Sequence, residues 1–151
     1  MTCLTALWVR APPCCLMSPL PPTVLVVDDE PVVRRLAYRI LNAAGYRVLE
    51  ASDGAEALEV LRNAPHKIDL VVVDAVMPNL DGAALSSAIF NQWPTQRVLL
   101  MSAHGEEVFG RLGLRRMSAP FLAKPFTDIE LLAKAERALR EPLLSTAQPI
   151  S

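Results

Sequence analysis

From Thr23 onward, short unbroken apolar runs alternate with amphipathic stretches, and few architectures accept that pattern. Val24-Leu25-Val26-Val27 is rich in β-branched residues, as suits a strand buried on both faces. It ends in Asp28-Asp29-Glu30, and Pro31 fits the first turn of a helix. Val33, Leu36, Ala37, Ile40, Leu41 and Ala44 then recur at helical spacing, with Gly45 as the expected C-terminal cap. The cycle repeats. Residues 47–50 read as a strand, and Ser52-Asp53-Gly54 leads into a helix over 55–63 that Pro65 ends. Residues 68–73 are the most strand-like run, closed by Asp74; 78–82 form a loop, and a helix over 83–92 stops near Trp93-Pro94. A fourth strand over 97–101 ends at Ser102, and a weaker helix is expected within 106–116. Residues 120–123 make a fifth strand followed by Lys124-Pro125. The last helix runs from about Asp128 to Arg140, capped by Thr127 or Asp128 and ended by Pro142. Five strand–helix units with short links imply an α/β fold: a doubly wound, five-stranded parallel sheet with helices on both faces.

The rest of the chain bounds its setting. Hydrophobic residues make up 52% of the 151 and charged residues 21%, enough for one core and too little charge for a disordered chain. A net charge of −1 does not by itself exclude a basic face for nucleic acid, but no Lys/Arg cluster supports one. No apolar run approaches the roughly 20 residues that span a bilayer. Cys3, Cys14 and Cys15 all precede the first structural pattern, so no disulfide framework is expected and the compartment reads as reducing, hence cytoplasmic. The Cys14-Cys15 pair lacks further ligands for a metal site and reads as reduced thiols in a tail. The first residues lack the basic start of a signal peptide, and Arg10 and the prolines interrupt them. Met17 offers a second start, which leaves 1–16 as a flexible arm or an over-extended beginning. The expected division is 1–21 as arm, 22–141 as one domain and 142–151 as tail.

In doubly wound sheets, ligands bind beyond the C-terminal strand ends. Those ends carry Asp28 and Asp29, Asp74, Ser102 and Lys124. Three carboxylates on one rim repel each other unless a cation neutralises them, and hard oxygen ligands suit Mg²⁺. A hydroxyl and an ammonium facing that cluster make a place for phosphoryl oxygens. Each residue also has a plainer reading: the acidic pair as a helix cap, Asp74 as a turn residue, Lys124-Pro125 as a surface turn. Their joint occurrence on one rim favours the site.

The segments VLVVDDEP (24–31), VVVDAVMPNLDG (71–82), LLMSA (99–103) and FLAKPF (121–126) resemble the receiver domain of two-component response regulators, the chemotaxis-regulator type included. The resemblance covers about residues 22–141. It implies the flavodoxin-like strand order 2-1-3-4-5. It also implies a phosphorylation switch: Asp74 takes a phosphoryl group from a sensor histidine kinase or a histidine phosphotransfer protein, assisting the transfer rather than acting as an enzyme. Asp29 and Asp74 would ligate Mg²⁺ directly, Asp28 through water, and the Val76 backbone carbonyl would add a ligand. Ser102 would turn inward to the phosphoryl group, Lys124 would pair with it across a cis Lys124-Pro125 bond, and Phe121 would report the switch by its rotamer. Phe121 also reads as an ordinary core residue of the last strand.

The resemblance has departures. Met117-Ser118 replaces a usual Gly-Ala pair, and Arg111, Arg115 and Arg116 make the preceding helix unusual. Val76 is apolar where a polar residue is common, which gives an attacking water no partner and implies slow self-dephosphorylation. His104 reads either as a shield for the phosphoryl group or as a solvated loop residue. About ten residues follow the last helix, too few for a DNA-binding module, so output would pass through contact with another protein; Leu112 or Leu114 would contribute to that face, and a homodimer is left open. The alternative is a phosphate-independent pseudo-receiver, a binding module of the same fold. A phosphatase on a related fold would carry a second Asp at position 76, and no Gly-rich phosphate or dinucleotide loop is present.

Overall fold

The computed structural model describes residues 20–77, 82–103 and 120–141. The expected helix within 106–116, His104, Leu112, Leu114, the Met117-Ser118 departure, the three cysteines and the 142–151 tail lie outside the described residues. Within them the chain runs β1 (Thr23–Val27), α1 (Pro31–Ala43), β2 (Arg47–Ala51), α2 (Gly54–Asn63), β3 (Leu70–Asp74), α3 (Gly82–Gln92), β4 (Arg97–Ser102), β5 (Phe121–Ala123) and α4 (Asp128–Arg140). All strand pairs are parallel, in the order β2-β1-β3-β4-β5.

Burial on both faces explains the unbroken apolar runs. Successive strand side chains point to opposite faces. Leu25, Val27, Val71 and Val73 therefore pack with Ala57 of α2 and with Leu85 and Ile89 of α3. Val24, Val26, Leu70 and Val72 pack on the other side with Ala37 and Leu41 of α1 and with Leu131 and Ala135 of α4. Every residue of β1 and β3 is buried. β2 lies at the edge, and only Ala51 of it is fully buried.

Helix ends follow local chemistry. Pro31 enters α1 as expected, but Glu30 occupies the cap position and makes no side-chain cap bond. Neither member of the acidic pair before it occupies the cap position, although Asp28 Oδ1 accepts from the Glu30 N–H at 2.9 Å. Gly45 follows α1 with φ 99, a left-handed conformation that glycine adopts without a Cβ penalty. Asp53 caps α2 by accepting from the Glu56 N–H, and Thr127 and Glu130 form a reciprocal capping box on α4.

Strand boundaries differ from the sequence expectation by one residue in β2, β4 and β5, and most in β3. β3 begins at Leu70, not at residue 68, and extends to include Asp74. Ile68 is buried without being in the ladder, and the Asp69 carboxylate accepts a 2.8 Å hydrogen bond from the Thr23 N–H at the start of β1. An apolar run does not distinguish a buried lead-in from a paired strand. Because the sheet is wholly parallel, the C-terminal ends of β1, β3, β4 and β5 share one rim. The chain direction across the sheet reverses between β1 and β3, where a doubly wound sheet opens a crevice.

Candidate functional site

Asp28 and Asp74 stand at that crevice. Asp28 follows β1 and is fully buried; its N–H donates to the Ala51 carbonyl of β2 at 3.2 Å. Asp74 closes β3 and is 7% exposed, and the next residue, Ala75, donates to the Met101 carbonyl at 2.8 Å. Lys124 follows β5, and its N–H donates to the Ser102 carbonyl at 2.9 Å. These backbone links carry each strand's pairing one residue past its end. They set the functional side chains on well-held backbone.

The side chains converge. Lys124 Nζ donates to Asp28 Oδ2 at 2.7 Å and to Asp74 Oδ2 at 3.0 Å. The second oxygens are also bonded: Asp28 Oδ1 accepts from the Glu30 N–H at 2.9 Å, and Asp74 Oδ1 accepts from the Val76 N–H at 3.0 Å. Asp74 thus fills the turn role foreseen as its plainer reading with one oxygen and an ion pair with the other. Asp29 is exposed at the mouth, and one carboxylate oxygen each from Asp28, Asp29 and Asp74 lie within 4.8 Å of one another. That all-oxygen donor set suits a hard divalent cation.

Electrostatics follow from burial. Removal from water raises the Asp74 pKa above its usual 3.8; the Val76 N–H and Lys124 oppose this without overcoming it, and Asp28 adds to it. For Lys124, burial works against the ammonium, but its bonds to Asp28 and Asp74 prevail and the pKa rises above 10.5. The ammonium is therefore a permanent countercharge for two buried carboxylates at neutral pH.

The remaining residues expected at the site lie around this centre. Ser102 ends β4, 1% exposed, one residue beyond Met101, the register partner of Asp74. Phe121 opens β5 opposite Leu100 and is half-buried. Val76 is 49% exposed beside Asp74. The Lys124-Pro125 peptide bond is cis. Sequence reasoning missed Arg34. Its guanidinium Nη1 donates to the Asp28 carbonyl at 2.7 Å while Nε lies 3.7 Å from Glu50 Oε1 of β2. The available signal was an arginine one turn into the helix that follows the acidic pair.

A doubly wound parallel sheet with a carboxylate cluster and a lysine at its switch point defines a class of small acidic-pocket α/β domains. Comparison with known proteins makes the class specific. Residues 24–136 match the response regulator receiver domain model, and the chain belongs to that family. It is 35% identical over 118 residues to the response regulator GtcR of Aneurinibacillus migulanus, covering 78% of this chain and 48% of that protein. It is 35% identical over 119 residues to the sensor kinase CckA of Brucella abortus, covering 79% of this chain and 13% of that one. The chain thus spans about half or less of the length of these relatives. The crystal structure of the receiver domain of NtrX from Brucella abortus is similar with a TM-score of 0.71 and 35% identity, over 79% of this chain and 99% of that one. Among the described residues, no helix is long and apolar enough to cross a membrane.

Proposed function

We propose that this receiver domain accepts a phosphoryl group on Asp74 from a phosphohistidine of a sensor histidine kinase or a histidine phosphotransfer protein. The observation that carries the reading is the Asp28–Lys124–Asp74 bridge beside a third carboxylate, Asp29, at the switch point of the sheet. Membership of the family and similarity to a protein named a sensor kinase support the donor class.

The residues suggest an order of events. Attack by an Asp74 oxygen on phosphorus forms a P–O bond as the P–N bond of the donor breaks, leaving neutral imidazole after proton uptake. The bond from Lys124 lowers the nucleophilicity of Asp74 Oδ2. Shifting that bond onto an incoming phosphoryl oxygen would restore it, and the shorter bond of Lys124 to Asp28 gives it a pivot. Asp28, Asp29 and Asp74, with the Val76 carbonyl, would hold Mg²⁺, which when bound supplies charge neutralisation for the phosphoryl oxygens. Phosphorylation adds about −1.5 to −2 charges and new acceptor oxygens. Ser102, buried at the end of β4, would turn to one of them, and Phe121 on the adjacent strand would respond. The altered face would be read by an output protein or a second copy of the chain. In this reading the domain is a phosphoacceptor, not a turnover enzyme, and works in the cytoplasm alongside the kinase that supplies it.

The test is intact-mass analysis after incubation with Mg²⁺ and a small acyl-phosphate donor, wild type beside Asp74→Ala. One phosphoryl adduct is expected, labile to hydroxylamine and absent from the variant. A folded wild type that takes no adduct from this donor or from a cognate kinase, and does not respond to beryllofluoride, would instead establish a phosphate-independent module.

A further inference from the structure

We infer that Arg34, anchored by Glu50, is a positioning residue that sets Asp29 for the divalent cation; this rests on the carboxylate cluster being the cation site proposed above. Asp29 is the exposed member of that cluster, and the peptide group before it is the part of its surroundings that the structure holds. Asp28 has its side chain fixed twice, by the Glu30 N–H and by Lys124, and its own N–H bonds Ala51. The Asp28 carbonyl belongs to the peptide group that leads into Asp29. Arg34 Nη1 donates to that carbonyl at 2.7 Å. The bond orients the peptide plane, and with it the direction in which the Asp29 side chain leaves the backbone.

Arg34 can hold the plane because it is held itself. Its Nε faces Glu50 Oε1 at 3.7 Å, and Arg35 Nη1 donates to Glu50 Oε2 at 3.2 Å. Glu50 sits on β2, in register with Val26 of β1, so the brace spans the two strands that frame the turn. The planar guanidinium reaches both partners at once; a lysine ammonium is a single point donor and would satisfy one. Two effects of Arg34 oppose each other at a cation site. Its charge repels the ion, whereas its hydrogen bond pre-organises the ligand. Glu50, which Arg35 also contacts, offsets only part of that charge, so a charge-conserving variant is needed to read the positioning effect by itself.

Arg34→Lys separates the two, because the charge is kept and the fork is lost. The measurement is Mn²⁺ binding followed by the electron paramagnetic resonance of the free ion, with Mg²⁺ as competitor, on the whole chain. Arg34→Lys and Glu50→Gln are each expected to weaken binding on the order of tenfold, as removing a group that orients a metal ligand typically does. Their melting temperatures in metal-free buffer should stay close to wild type, since a partly exposed ion pair adds little to stability. Asp29→Asn is the control for the site itself. If Asp29→Asn weakens Mn²⁺ binding but either other variant binds within about twofold of wild type, the positioning role is overturned and the cation site stands. If Asp29→Asn leaves binding unchanged, the site reading fails and this inference with it.

Discussion

Replacing Lys124 by methionine tests the electrostatic core of the site. The substitution keeps much of the side-chain volume and removes the ammonium that bridges Asp28 Oδ2 and Asp74 Oδ2. Carboxylate oxygens of the two aspartates lie within 4.8 Å, so two full charges there would repel by roughly 3–4 kcal/mol at an effective dielectric near 20. Removing one member of a buried ion pair typically costs about 3–5 kcal/mol. Asp28 has a fully buried side chain and Asp74 one that is 10% exposed, so water relieves little of this. The expected loss is about 3 kcal/mol at neutral pH in chelator, or roughly 10 °C in melting temperature. The cost must also depend on pH. Burial already raises the Asp74 pKa, and without the ammonium Asp74 holds its proton more tightly folded than unfolded, so stability is present in acid and is lost as pH rises through its elevated folded pKa. The deficit relative to wild type should therefore shrink towards acid. Wild-type Lys124, with its pKa raised above 10.5, stays charged throughout this range and gives up its contribution only at higher pH. Urea denaturation across acid to neutral pH measures both effects. A deficit below about 1 kcal/mol, or one independent of pH, would refute the claim that the ammonium is the countercharge these carboxylates require.

Other positions test other parts of the molecule. Val76→Asn gives a hydrogen-bond partner to water at a half-exposed position beside Asp74, and should speed loss of the phosphoryl group severalfold in a mass-spectrometric time course; an unchanged rate would count against slow dephosphorylation arising there. Thr127→Ala removes the capping box of α4 and should cost about 1 kcal/mol in urea denaturation, largely recovered by Thr127→Ser. Leu131→Ala empties a fully buried position on the inner face of α4 and should cost about 2–5 kcal/mol, with the far-ultraviolet spectrum retained.

Much of this architecture was legible in the chain because its signals are local. β1 and β3 are buried on both faces and so are unbroken Val/Leu runs, and Thr127 or Asp128 marks the start of α4, where the structure has Thr127 as the cap. The strand ends, and hence Asp28, Asp74, Ser102 and Lys124, could be placed on one rim from alternation alone. The start of β3 could not, because Ile68 is apolar for burial and not for pairing.

By itself, the sequence determined the order and approximate extent of the described strands and helices, and which polar side chains follow each strand of the rim, since both depend on neighbours a few positions apart. Tertiary structure alone decided what those polar groups touch. Lys124 meets Asp28 and Asp74 across 96 and 50 residues of chain, and it bridges them instead of standing apart for an incoming phosphate. Arg34 reaches Glu50 only because β2 lies beside β1. Such bonds depend on distances of a few ångströms and on exclusion from water, and those arise only when the parallel sheet brings its strand ends together.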